Sequence, residues 1–308
     1  MSGLVSEPGV SGTDGQGAGI QGTGRVRNLP VYVDADDERR LLELDGGLIH
    51  SQTRAMVRLV IYITFTLLLI PVQAVAVLLR SELAVRLPRF YHRWCLRILG
   101  VRLEIIGRPS RVRPTLFVSN HVSYLDISIL GATVHGSFIA KEEVSGWFGF
   151  GVLAKLQRSV FIRRERGQVG KQSDEIGERL EAGDSLILFP EGTSGDGNRV
   201  LPFKTALFQV ANREVKGAAL AVQPVSVTYT RLNGVPIGRA LRPFYAWYGD
   251  MDLAPHLWHL AGLGQLTVVV EFHPPTDLSE QGSRKNLASF ARSHIASGVA
   301  RANAGRSA

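Results

Sequence analysis

The 308-residue chain holds a single cysteine, Cys95. No disulfide can form within it, which excludes a disulfide-stapled scaffold and fits a reducing compartment. Acids are scarce as well: 27 Asp and Glu stand against 35 Lys and Arg, for a formal net charge of +8. The first 50 residues do not share that shortage. They carry four arginines and eight acids, a net −4, which leaves +12 for the remainder. A body this basic suits an anionic partner: a nucleic acid, an anionic membrane or a phosphorylated substrate. Nucleic acid fits worst, because binding it calls for an aromatic or helix-turn-helix reading surface, and the Arg-rich segment follows an apolar stretch instead.

Residues 1–50 also lack apolar periodicity. "MSGLVSEPGVSGTDGQGAGIQGTG" is rich in Gly, Ser and Thr and cannot bury enough apolar surface to offset its ordering entropy, so disorder is expected. "DADDERRLLELD" fits a short helical turn at most. The basic n-region and apolar core of a secretory signal are missing.

Charge is absent altogether from Leu59 to Leu79, "LVIYITFTLLLIPVQAVAVLL". At about 1.5 Å per residue, a helix of that length matches the roughly 30 Å hydrocarbon thickness of a bilayer. Pro71 is compatible with a membrane helix. After Arg80 comes "SELAVRLPRFYHRWCLRIL", in which Arg86, Arg89, Arg93 and Arg97 alternate with Leu, Phe, Trp and Ile. That pattern predicts a basic amphipathic helix at a headgroup layer. Residues 51–98 therefore form a membrane-anchoring helical segment. Arg54 and Arg58 put basic charge on its other side too, so a full span and a hairpin dipping into one leaflet both remain open.

From residue 99 to 278 the pattern changes to short apolar runs bounded by turn residues: "TLFVSN", "SFIAK", "SVFIRR", "SLILFPEG", "AVQPVSVTY" and "LTVVVEFHP". These read as buried strands. "QVGKQSDEIGERLEAGD" and "KTALFQVANREVKG" read as helices between them. The fold class is α/β: a mixed, largely parallel sheet flanked by helices, preceded by the membrane helix and the basic amphipathic helix. Residues 279–308 form a helical or flexible tail. In such sheets, sites form at the C-terminal ends of strands. Asn120-His121 follows "TLFVS", Pro190-Glu191-Gly192 follows "SLILF", and Arg163-Arg164 follows "SVFI". Three polar clusters at strand ends point to one cleft.

These same residues carry a resemblance. His121 and Asp126 make H-x4-D, and "FPEGT" runs from Phe189 to Thr193. Together, at this spacing, they resemble the glycerolipid acyltransferase family, whose best-known members are lysophosphatidic acid acyltransferases. "VFIRR" is similar to a second family block, with Arg164 at the phosphate-binding arginine, and Pro224 in "VQPVSV" matches a fourth. The resemblance covers residues 99–274.

It implies transfer of a fatty acyl group from a thioester, on acyl carrier protein or coenzyme A, to a lysolipid hydroxyl. No other cofactor and no metal is implied. His121 is then the general base, since an imidazole titrating near pH 6.5 accepts a proton at neutral pH. Asp126 holds the ring in its tautomer and stabilises the imidazolium, with the substrate hydroxyl in the place of a catalytic serine. Ser123 as a nucleophile lacks a G-x-S-x-G elbow, and a metal set of His121, Asp126 and His135 lacks ligand spacing. Oxyanion donors are expected among the N–H groups at the start of the helix after His121. Asn120, Arg164, Glu191, Gly192, Thr193 and Lys204 are the expected substrate-binding residues. Glu191 would accept from glycerol hydroxyls, and Gly192 would admit a close backbone approach.

Two acceptors compete. Lysophosphatidate is the first expectation, with Arg163, Arg164, Arg199 and Lys204 available for its phosphate. Many lysophosphatidate enzymes have an arginine directly after F-P-E-G-T, however, and here Ser194 stands there, followed by "GDGNRVLPFK". That glycine-rich loop resembles the variant in enzymes acylating lyso-ornithine lipid, an aminolipid without phosphate, whose amino group would want a carboxylate such as Asp196. A non-catalytic membrane lipid-binding protein is a different class of reading, but a binder has no need of the His121–Asp126 pair. Partners are thus membrane lipids, the lysolipid and the acyl donor. Because acyl thioesters are cytosolic, the expected location is the inner membrane with the site facing the cytoplasm.

Overall fold

The computed structural model describes residues 50–147, 149–162, 169–215 and 217–306. The first 49 residues, and with them the expectation of disorder, lie outside the described part, as do Arg163, Arg164 and Arg166.

In chain order the elements are α1 (Gln52–Leu78), α2 (Leu83–Ile98), β1 (Val101–Ile106), β2 (Thr115–Ser119), α3 (Leu125–Thr133), β3 (Ser137–Lys141), α4 (Phe150–Leu156), β4 (Val160–Ile162), α5 (Val169–Glu181), β5 (Leu186–Leu188), β6 (Glu214–Val215), β7 (Ala218–Ala219), β8 (Ala221–Leu232), β9 (Val235–Pro236), α6 (Leu253–Gly262), β10 (Leu266–Phe272) and α7 (Arg284–Asn303). The main sheet has the order β1-β10-β8-β2-β5-β3-β4, with β9 paired to β8. Its pairings are parallel except for β8 with β10 and with β9, so the sheet is mixed and largely parallel, as the strand and helix alternation predicts.

The period-2 geometry of strands splits the core in two. Phe117 and Ile187 face one side, with Val225, Val227 and Tyr229, and are covered by residues of α1, α2, α3 and α6. Leu116, Val118, Leu186 and Leu188 face the other, against Ile176 and Leu180 of α5 and Leu287, Ala291 and Ile295 of α7. The C-terminal segment is helical, one of the two forms expected, and it is not a loose tail: α7 packs on β8, and the apolar residues along it are what the second face of the sheet needs covered. The stretch "KTALFQVANREVKG" departs from its expected helix. It forms a short 3-10 segment, Thr205–Asn212, then enters the β6–β7 hairpin. Its start is pinned where the Lys204 N–H donates to the Pro190 carbonyl, and its buried Phe208 anchors it to the core.

Among the described residues α1 is the one helix long and apolar enough to cross a membrane. It leaves Val60, Ile63, Leu67, Leu68 and Val75 exposed. Its inner side is tied to the α/β domain at both ends. Trp258 donates its indole N–H to Gln52 Oε1 at 2.8 Å, and the Arg58 guanidinium donates to the carbonyls of Ala261 (3.1 Å) and Leu263 (2.7 Å). Farther along, Gln73 Nε2 donates to the carbonyls of Ala84 (3.0 Å) and Leu156 (2.8 Å). From Gln52 to Gln73 the helix runs about 32 Å against the rest of the molecule.

Candidate active site

Strands β2 and β5 are parallel neighbours with Val118 opposite Leu188. Their C-terminal ends lie side by side, which brings "SNHVSYLD" and "FPEGT" to one edge. Asn120 prolongs the ladder after β2 ends: its Nδ2 donates to the Val227 carbonyl and its Oδ1 accepts from the Val227 N–H, each at 2.9 Å. The side chain acts as an extra strand residue, which fixes where His121 leaves the sheet. Both its polar ends are thereby occupied.

His121 Nδ1 lies 2.9 Å from Asp126 Oδ2. The same oxygen accepts from the backbone N–H of Val122 at 2.6 Å and of Ser123 at 2.9 Å. The other oxygen, Oδ1, accepts from the Tyr229 hydroxyl at 2.7 Å. Asp126 is fully buried, and this full set of donors is what makes a buried carboxylate tolerable. It also assigns the imidazole tautomer. A carboxylate already fed by two N–H groups can only accept, so Nδ1 carries the hydrogen and Nε2 keeps its lone pair. The side chain of His121 is 21% exposed, and its ring stacks on Phe189 at 4.2 Å, which in turn stacks on Phe138. Desolvation by burial and the adjacent Asp126 push the Tyr229 phenol well above its usual range, so it remains a donor.

Glu191 is buried, and both its oxygens are used within the protein. Oε1 accepts from the His121 N–H at 3.0 Å and Oε2 from the Leu201 N–H at 3.1 Å. It thus clamps the turn at His121 to the loop after "FPEGT". Burial pushes its carboxyl up to about 8, against the pull of these two N–H groups. Gly192 turns the chain at φ +68°, a conformation open to glycine. Gly195 N–H donates to the His121 carbonyl at 2.9 Å, so the backbone of His121 is held on both sides.

The other expected residues divide. Thr193 and Lys204 are exposed on the same loop. Arg164 lies outside the described residues. Asp196 accepts from the backbone N–H and side-chain Nδ2 of Asn198 at 3.0 and 3.2 Å. His135 is away from the pair, beyond the far end of α3, where it contacts Arg89. Of the N–H groups between His121 and the helix start at Leu125, those of Val122 and Ser123 serve Asp126.

Three contributors escaped the sequence reading. Tyr229 sits two residues beyond Val227 on the same face of β8, so strand parity places it near the site. Phe189 is part of the quoted motif, and only the stacking gives it a role. The third is the stretch around Trp247, whose N–H donates to the Val122 carbonyl at 2.9 Å and whose carbonyl accepts from the Ser194 hydroxyl. No motif marks it.

Residues 102–228 match a family model described as Acyltransferase. The chain is 46% identical over 230 residues to a lyso-ornithine lipid O-acyltransferase of Brucella abortus (strain 2308), covering 73% of this chain and 86% of that protein. It is 35% identical over 195 residues to a 1-acyl-sn-glycerol-3-phosphate acyltransferase of Neisseria gonorrhoeae, covering 62% of this chain and 72% of that one. Its fold is similar to the crystal structure of the 1-acyl-sn-glycerophosphate (LPA) acyltransferase PlsC from Thermotoga maritima, with a TM-score of 0.56 at 23% identity over 81% of this chain and 96% of that chain.

Proposed function

This chain belongs to the glycerolipid acyltransferase family, and from that premise we propose that it is a lyso-ornithine lipid O-acyltransferase. The observation that carries the choice is the 46% identity to an enzyme of that name, against 35% to one acting on 1-acyl-sn-glycerol-3-phosphate. This reverses the order of acceptors expected from sequence. Ser194 agrees with the reversal: it stands where many lysophosphatidate enzymes have an arginine, and its hydroxyl is spent on the Trp247 carbonyl.

The reaction follows from the His121–Asp126 pair. The lysolipid hydroxyl donates its proton to His121 Nε2 as its oxygen attacks the thioester carbonyl of the acyl donor. The tetrahedral intermediate collapses, the carbon–sulfur bond breaks, and the thiolate takes the proton from the imidazolium. Asp126 keeps Nδ1 protonated and offsets the charge on the ring. Glu191 and Asn120 position His121 through backbone and strand contacts. Thr193, Gly192 and Lys204 are the remaining candidates to touch this acceptor, while Arg164 is the candidate for an acceptor that carries a phosphate. The donor is an acyl thioester on acyl carrier protein or coenzyme A.

Attachment follows the exposed side of α1. The helix enters a bilayer while held on the domain along its length, which brings the His121 edge to the lipid surface on the cytoplasmic side, where acyl thioesters are made.

The test is thiol release by the purified full-length protein with an acyl thioester and either lyso-ornithine lipid or lysophosphatidate. Higher kcat/KM for lyso-ornithine lipid is expected. Turnover of lysophosphatidate alone overturns the proposal.

A further inference from the structure

An ornithine headgroup presents a primary ammonium and no phosphate, so an enzyme that selects it needs a place for a cation beside a basic body. Asp196, the carboxylate expected to fill that role, is held by Asn198. Arg242 reaches the same Asn198 at 3.0 Å and puts a positive charge beside Asp196. A cation is better received beside Trp247, whose backbone joins Val122 and Ser194. There Trp247 lies edge-on to Tyr124, with ring centroids 5.9 Å apart, and Trp147 stands at 83° to Trp247 at 6.0 Å.

Trp147 is 46% exposed and stands perpendicular to Trp247, so it offers a π surface of the kind that attracts an ammonium. Trp247 is bonded through its N–H to Val122, the residue after His121, and its indole N–H is spent on the Met251 carbonyl at 3.0 Å. Tyr124 donates or accepts at 3.0 Å with His256 Nδ1. Burial pushes the His256 imidazole down to about 4, so the ring behind Tyr124 adds no positive charge at neutral pH.

The local charge has the complementary sign. The two segments bearing the tryptophans, residues 142–147 and 245–252, contain Glu142, Glu143, Asp250 and Asp252 and no Lys or Arg, with Lys141 and Arg242 just outside. In a chain whose residues 51–308 carry +12, acids outnumber bases along these two segments, a balance that suits an ammonium better than a phosphate dianion.

We propose that Trp147 and Trp247 form the subsite for the headgroup ammonium of the acceptor lysolipid and set the preference for an aminolipid. This rests on the lyso-ornithine reading above. The experiment compares two acceptors in detergent with the full-length protein: lyso-ornithine lipid, and its norvaline counterpart, which is identical but lacks the terminal amine. The quantity read is the ratio of kcat/KM for the two, so any general loss from misfolding or weaker micelle binding cancels. Trp147→Leu is expected to lower that ratio about 3- to 30-fold, the range of a cation–π contact. Trp147→Phe should fall between it and wild type.

An unchanged ratio in Trp147→Leu overturns the proposal, even if both rates drop together, as they would were Trp147 only a membrane anchor. If Trp147→Leu is inactive with both acceptors, the ratio in Trp147→Phe decides in the same way. Should the wild type acylate lyso-ornithine lipid while the variants keep its ratio, only the subsite fails. Should the wild type reject lyso-ornithine lipid, the functional reading fails with it.

Discussion

Replacing Asp126 by asparagine probes the proposed catalytic pair in a way the hydrogen bonds make quantitative. Oδ2 faces three donors: His121 Nδ1–H, Val122 N–H and Ser123 N–H. An amide NH₂ turned toward them would meet three N–H groups head on. The asparagine oxygen therefore keeps that position, and its nitrogen faces the Tyr229 hydroxyl, which rotates from donor to acceptor. Asp126→Asn preserves the tautomer and the placement of the ring. On the proposed mechanism, what it loses is the negative charge beside the imidazolium that forms when the acceptor hydroxyl gives up its proton. The lower bound is the difference between a charge-assisted and a neutral hydrogen bond, about 1–1.5 kcal/mol. The upper bound is the Coulomb energy at about 4 Å and an effective dielectric of about 20, roughly 4 kcal/mol. kcat should thus fall between about 10-fold and 10³-fold, with Tm close to wild type.

Asp126→Ala is different. It leaves those three N–H donors and the Tyr229 hydroxyl buried without a partner, at a cost of about 3–5 kcal/mol and a Tm loss of about 10 °C. Single-turnover acyl transfer and thermal denaturation of the two variants beside His121→Ala, itself expected to lose about 10²–10⁴ in rate, make the comparison. Asparagine matching alanine in both rate and Tm would refute this account, because it would mean the ring had been released.

Other expectations follow from the same structure. Arg164→Ala should raise KM for lysophosphatidate strongly, by the worth of a bidentate charge-assisted contact of about 1.5–3 kcal/mol. The same change should barely alter KM for lyso-ornithine lipid, and steady-state kinetics with both acceptors reads the difference. Glu191 binds its proton more tightly in the fold than its ordinary carboxyl value of 4.5 allows. As pH rises from about 4.5 to 8 the unfolded chain releases that proton first, so this group's contribution to stability declines across the window and levels off above it. Denaturation at pH 5, 7 and 9 should show wild type losing stability relative to Glu191→Gln as pH rises; a constant difference contradicts the shift. Deleting residues 1–50 should leave activity largely intact. Deleting through Leu79 uncovers α2 and α6 and should yield aggregated, inactive protein in a sedimentation assay, whereas a soluble active product would contradict the packing of α1.

The sequence alone determined the parts whose physics is local. An uncharged run from Leu59 to Leu79 reads as a membrane-length helix in any context, because the signal is composition and length. Apolar runs bounded by turn residues mark strands, and alternation with helices dictates a largely parallel sheet. His121 and Asp126 are legible because a five-residue separation lets a turn join strand end to helix start. Tertiary structure decided the rest. Glu191 reads in sequence as a ligand for substrate, and only the neighbouring strand adds that it accepts from the His121 N–H at 3.0 Å. Asn120 turned out to extend a strand pairing with a partner 107 residues away. Tyr229, Phe189 and Trp247 contact the His121–Asp126 turn from other strands and from a connection without a motif. Those distances arise only when β8, β2 and β5 lie side by side. Which strands become neighbours is settled by burying two separate apolar faces under α1, α2, α3 and α6 on one side and α5 and α7 on the other, a global balance that no short stretch of sequence contains.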